Sequence, residues 1–267
     1  MTRRTASDRL RKALVVVVSL VAVLAVTGCD PLPVRQASHE TNVFTPPPLP
    51  ADARSRPLGR PGPLPADTGP YKITLTQGTS QAPVAYDPCR PIHYVTNRAS
   101  KPRNGDAVLR EALARLGAAT GLHFHDDGAT TEVPVPHRPD FQPKRYGNRW
   151  APVLISWSDP QDLADLDGPV VGIGYSDSYG DPGQRRYVSG TVVLDGPQIN
   201  EWLKQSGGRA RARAIIEHEL GHLVGLGHVH DPHEIMNPDA SVSTTDYGPG
   251  DLHGLALLGT GRCFRDA

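Results

Sequence analysis

The run His218-Glu219-Leu220-Gly221-His222-Leu223-Val224-Gly225-Leu226-Gly227-His228 constrains this chain more than any other part of it. Residues four apart on a helix lie about 6 Å along the axis and roughly 40° around it. His218 and His222 can therefore meet one cation, with Glu219 beside them. Gly225 can end the helix in a left-handed turn, where a Cβ is costly. The chain then swings back and delivers His228 as third ligand. Three protein ligands leave a fourth position for water, as a catalytic rather than a structural zinc requires. Chance gives the first His, the Glu and the second His in roughly one chain in a hundred of this composition, and the added glycine and third histidine in about one in ten thousand. An amphipathic helix with two surface histidines is the plainer reading. The extra positions weigh against it.

Eight residues beyond His228 comes Ile235-Met236-Asn237-Pro238, and Met236 is one of only two methionines in the chain. A zinc motif followed by such a turn resembles the metzincins, and within them the matrixins. The resemblance implies an α+β fold, a twisted mixed five-stranded sheet with an active-site helix and a C-terminal helix, over residues 70–267. It also implies a methionine floor beneath the metal, a zinc endopeptidase acting on polypeptide, and Glu219 as general base. Ala151 to Trp157 looks like the family's central strand, Ser189 to Asp195 like the next one, and Gly250 to Leu255 like the start of its last helix. Gly172, Ile173, Gly174 and Tyr175 are similar to its edge strand, which takes substrate as an added antiparallel strand. The segment from Asn237 to Tyr247 then forms a wall of the main specificity pocket.

Matrixin structural-zinc histidines have no counterpart near Val192 to Asp195, so one zinc is expected. Asp167 and Asp195 are candidate calcium ligands, with ordinary turn aspartates as the alternative. His230 and Asp231 sit next to the third ligand, but the spacing favours His228. His123 and His125 alternate on a strand and read as exposed or core-edge residues rather than a second metal site.

The amino terminus concerns location. Arg3, Arg4, Arg9, Arg11 and Lys12 precede an uncharged stretch from Ala13 to Gly28, which is short for a span of about 20 residues. It closes on Val26-Thr27-Gly28-Cys29, which resembles a bacterial lipoprotein processing site. Residues 1–28 are thus expected to be removed and Cys29 to carry lipid, leaving an exported chain on the extracytoplasmic face of the membrane. Cys89 and Cys263 then remain as an even pair in an oxidising compartment and are expected to bridge. The rival use of Cys89 is to occupy the zinc, as the propeptide cysteine of matrixin zymogens does. That use leaves Cys263 unpaired.

Residues 29–69 are proline-rich with almost no apolar periodicity, and are expected to be an extended flexible linker. In the domain beyond, Val108, Leu109, Ala112, Leu113 and Leu116 mark one face of a helix. Ile92 to Val95, Leu122 to Phe124, Val153 to Trp157, Val170 to Tyr175 and Tyr187 to Leu194 read as strands. The zinc helix is expected from about Gly208 to Val224, and a shorter one from Asp251 to Leu258.

Without residues 1–28 the chain has 23 basic and 27 acidic residues, and no basic run suits nucleic acid. Arg138, Lys144, Arg145 and Arg149 read as parts of a solvated loop on the active-site rim. A monomer is expected. The sequence leaves two other functions open, a binding lipoprotein that merely keeps the zinc fold and a zinc amidase on cell-wall peptides. Glu219 speaks against the first, because a structural site has no need of that carboxylate.

Overall fold

Val153 to Ser158 is buried at every residue, as expected of a strand in the middle of a covered parallel sheet. The computed structural model describes residues 44–238 and 244–265; the expected leader 1–28 and Cys29 lie outside the described residues. In chain order the elements are β1 (Lys72–Ile73), β2 (Ile92–Asn97), α1 (Gly105–Thr120), β3 (Phe124–Thr130), the single turn α2 (Pro143–Tyr146), β4 (Val153–Ser158), a 3-10 turn (Ala164–Leu166), β5 (Gly172–Tyr179), β6 (Arg186–Asp195), α3 (Gly196–Leu203), α4 (Gly208–Val224), β7 (Leu226–Gly227) and α5 (Pro249–Gly259). The main sheet has the order β3-β2-β4-β6-β5. Its first four strands run parallel, and β5 joins antiparallel at one edge. This is the expected mixed five-stranded α+β architecture, with β4 at its centre.

Helix α1 buries the expected Val108, Leu109, Ala112, Leu113 and Leu116 and packs against α4 and α5. It stops at Gly121, whose φ of 75° only glycine adopts cheaply. Helix α4 buries Ala212, Ile216, Leu220, Leu223 and Val224 within the same core. Its sequence is nearly uniform in polarity around the axis because its outer face also meets protein: α1, α3 and β5 all contact it. Strand β3 begins where a strand was expected to end, because Leu122 turns into the core and pairing with β2 starts only at Phe124. Helix α3 was not foreseen. It is eight residues long, and its start is set by Asp195, whose carboxylate accepts from the Gln198 amide at 2.8 Å.

The calcium expectation finds no support at either aspartate. Asp195 is buried and committed to the helix, while Asp167 is an exposed residue closing the 3-10 turn. Among the described residues neither belongs to a group with metal-ligand spacing.

The expected linker 29–69 is corrected at its C-terminal end, since the chain from Thr45 onward forms one compact unit. Three amides of this stretch donate to the domain: Arg54 to the Cys89 carbonyl at 2.7 Å, Leu58 to Pro88 at 2.9 Å and Gly62 to Ala118 at 2.9 Å. A Cβ on Gly59 would stand 2.5 Å from the Gly121 carbonyl oxygen, so the strap lies against the end of α1 only because glycine is there. The segment has no core of its own and uses the domain's surface instead. Residues 29–43 lie outside the described residues.

Cys89 and Cys263 are bonded, with Cα atoms 5.4 Å apart across a separation of 174 residues. The bridge joins the entry to β2 with the chain after α5. Asp87 braces it, accepting from the Cys89 amide at 2.8 Å and the Phe264 amide at 3.1 Å.

Arg138 also differs from expectation. It is buried rather than solvated, with its guanidinium on both carboxylate oxygens of Glu132 and on the Gly190 and Pro152 carbonyls. A buried cation needs such partners, and the loop it anchors contributes nothing to the lining of the active-site cleft.

Candidate metal centre

Helix α4 carries His218 and His222 one turn apart, and Gly225 ends it at φ 118°, donating back to the Gly221 and His222 carbonyls. The reversal through β7 brings His228 to the same point. The three Nε2 atoms form a near-equilateral triangle with edges of 3.1, 3.1 and 3.0 Å. Donors about 2.0 Å from one tetrahedral zinc stand about 3.3 Å apart, so the triangle fits that ion closely.

The far nitrogens set the tautomers. His218 Nδ1 lies 2.7 Å from the Ile235 carbonyl and His222 Nδ1 2.8 Å from the Leu226 carbonyl. A carbonyl can only accept, so each Nδ1 carries the proton and each Nε2 turns a lone pair to the centre. Burial pulls His218 down to about 4, helped by His222, and lowers His222 and His228 as well. All three are neutral ligands near neutral pH.

Glu219 is buried, and burial pushes its carboxyl up to about 8. A dication in the triangle acts the other way and favours the carboxylate. Strand β5 crosses directly over this residue. A Cβ on Gly172 would stand 2.5 Å from Glu219 Cγ, and one on Gly174 would collide with the Glu219 carbonyl oxygen. Glycine at both positions lets the edge strand lie on the helix where the carboxylate sits.

Met236 is buried, with Sδ 2.6 Å from where a Gly221 Cβ would be. It thus packs against the helix between the two ligand-bearing turns. Its turn is pinned to α5 by two carboxylates. Asp251 accepts from the Ile235 amide at 2.6 Å and the Gly248 amide at 3.0 Å, and Glu234 accepts from the Gly250 and Asp251 amides at 2.9 and 2.8 Å. Burial together with Glu234 pushes Asp251 above the ordinary carboxylate range. Since the Ile235 carbonyl orients His218, Asp251 acts on the metal ligand through one intervening residue. Nothing in the sequence pattern singled out either acid.

The histidines and Glu219 open into a cleft of ≈770 Å³. Gly172, Ile173 and Gly174 form one side, while Ile235, Pro238 and Thr244 lie on the other. Of the expected pocket wall 237–247, residues 239–243 lie outside the described residues. Trp202 and Arg211 also line the cleft, the guanidinium 3.9 Å from the centroid of the indole ring. Sequence reasoning missed this pair because α3 was not foreseen. Tyr175 follows on β5 opposite Thr191. His230 is exposed, and Asp231 caps its own turn by accepting from the His233 amide at 2.9 Å. Neither joins the triangle.

A helix ended by a glycine turn, three converging imidazoles, an adjacent buried glutamate and a methionine packed against the helix form one site with donors spaced for a zinc ion. Residues 144–255 match the family model of the matrixins. Archaemetzincin from Methanopyrus kandleri is a similar solved structure, with a TM-score of 0.40 and 13% identity over 62% of this chain and 93% of that one. No curated protein matches the chain.

Proposed function

We propose that this protein is a zinc-dependent endopeptidase, exported and held on the outer face of the membrane by lipid on Cys29. The observation that carries the catalytic part is the coincidence, in one cleft, of the histidine triangle, the buried Glu219 and the free edge of β5. Zinc, when bound, polarises the scissile carbonyl, makes water a stronger nucleophile and offsets the oxyanion charge. Glu219 takes the proton of the attacking water and hands it to the leaving amine nitrogen. The outer edge of β5, from Gly172 to Tyr175, holds the substrate backbone as an added antiparallel strand, and the cleft walls select side chains. The anchoring part rests on Cys29 and the leader that precedes it.

The test is cleavage of an unstructured polypeptide by the zinc-loaded full chain, beside a Glu219→Ala variant and beside peptidoglycan stem peptides. Cleavage of the polypeptide by the parent alone, abolished by a chelator, is the expected result. Cleavage of the stem peptides alone would make it a cell-wall amidase. Bound zinc with neither activity would make it a binding module.

A further inference from the structure

Far from the cleft in sequence, three further metal-ligating side chains converge on the opposite edge of the sheet. His93 of β2 and His125 of β3 are register partners in a parallel pair. Their rings lie with centroids 4.9 Å apart, tilted 57° to each other. Asp127 follows His125 by two residues, which returns it to the same face of the strand. One donor atom from each of the three lies within 4.8 Å of the others.

We propose that His93, His125 and Asp127 bind a second zinc ion, independent of the catalytic one. Asp127 Oδ1 stands 2.7 Å from His93 Nδ1 and 3.6 Å from His125 Nε2. These distances bracket the separation of about 3.3 Å between donors on one tetrahedral zinc. The second observation is what holds His93. Its far nitrogen, Nε2, lies 2.8 Å from Asp52 Oδ2, the carboxylate–histidine arrangement that orients metal-ligating imidazoles. With Nε2–H donated to Asp52, the lone pair of Nδ1 faces the cluster. Asp127 is prepared in the same way. Arg149 donates to its Oδ2 at 2.6 Å and leaves Oδ1 for the ion.

Two imidazoles and one carboxylate suit zinc and its neighbours in the transition series rather than calcium or magnesium, which take oxygen ligands. His125 is 62% exposed, so the ion has an entry path and solvent can supply the fourth ligand. Because Asp52 belongs to the proline-rich strap, the ion would fasten that strap to the sheet edge through His93. None of the three proposed ligands lines the catalytic cleft. The competing arrangement is metal-free: a doubly protonated His93 bridging Asp52 and Asp127 as an ion-pair network.

The experiment is zinc titration of the chelator-stripped full chain, with bound metal counted by calorimetry and elemental mass spectrometry. Two zinc ions per parent chain are expected, and one in His125→Ala with unchanged cleavage. The double variant His222→Ala/His228→Ala is expected to keep one zinc while losing cleavage, so this count stands apart from the peptidase reading. Asp52→Asn is expected to keep both ions, with the second bound about 10- to 100-fold more weakly. A single zinc in the parent at saturation, two in His125→Ala, or none in the double variant would each overturn the proposal and leave the ion-pair network.

Discussion

Replacing Gly172 by alanine tests whether the placement of Glu219 under the edge strand governs activity. The new Cβ would stand 2.5 Å from Glu219 Cγ and 2.8 Å from Cδ, where carbon–carbon contacts settle at about 3.5 Å. Roughly 1 Å must be found between strand and side chain. Strand β5 is held by its ladder to β6 along its full length, whereas the Glu219 side chain can turn about its own bonds, so the carboxylate moves first. A displacement of about 1 Å at a reacting group costs on the order of 100-fold in rate, or about 2.7 kcal/mol of transition-state stabilisation. Overpacking of this size costs about 1–3 kcal/mol of stability. The assay is kcat/KM on an unstructured polypeptide, measured with zinc content and thermal midpoint on the same sample. The expected result is a loss of about 100-fold with full zinc occupancy and a modest fall in midpoint. Gly174→Ala should damage stability more, because its Cβ meets the rigid Glu219 carbonyl rather than a side chain. Full activity in Gly172→Ala would refute the reasoning, since the carboxylate would then tolerate displacement.

Other consequences can be measured independently. Burial raises Glu219 to about 8 from an ordinary 4.5, so in the zinc-free chain the folded state keeps a proton that the unfolded state loses. Its stability contribution is therefore present at low pH and lost as pH rises from about 4.5 to 8. Denaturation of the zinc-free Glu219→Gln variant should show it gaining on the parent across that window, by at most about 1.4 kcal/mol per pH unit; parallel curves would contradict this. Replacing Cys89 and Cys263 together by alanine opens a loop of 174 residues, which costs about 5 kcal/mol on the chain-entropy account and should lower the thermal midpoint by roughly 10–20 °C. A shift of only a few degrees would assign the bridge no such role. Asp251→Ala orphans the buried Ile235 and Gly248 amides at about 1–3 kcal/mol each, and should weaken zinc about 10- to 100-fold by loosening the carbonyl that holds His218. Asp251→Asn, which keeps an acceptor, should recover part of both losses in the same titration.

Much of the fold was legible in the chain because the signals are local. The apolar face of α1 repeats at the helical period, and the mostly apolar run from Val153 to Trp157 announces a buried strand. Helix α4 needed its ligand spacing, since it has almost no amphipathic signal. Helix α3 was hidden because it is only eight residues long and opens on Gly196-Pro197, which reads as a turn, and its cap, Asp195, has the same appearance in sequence as a calcium-binding turn. The strap was misjudged for a different reason. Proline content says that a segment has no core of its own, and says nothing about whether a neighbouring domain offers a surface for it to lie on.

By itself the sequence determined that two histidines and a glutamate share a helix, that the helix ends at Gly225, and that a third histidine follows within reach. Those are statements about neighbours in the chain, where backbone geometry leaves few choices. Only the tertiary structure decided that Gly172 and Gly174 lie over Glu219, that Asp251 steadies His218 through Ile235, and that His93 meets His125, Asp127 and Asp52. Each of these joins residues tens of positions apart or on separate elements. Their meeting depends on strand register and on how helices pack against the sheet, and no local period in the sequence records either.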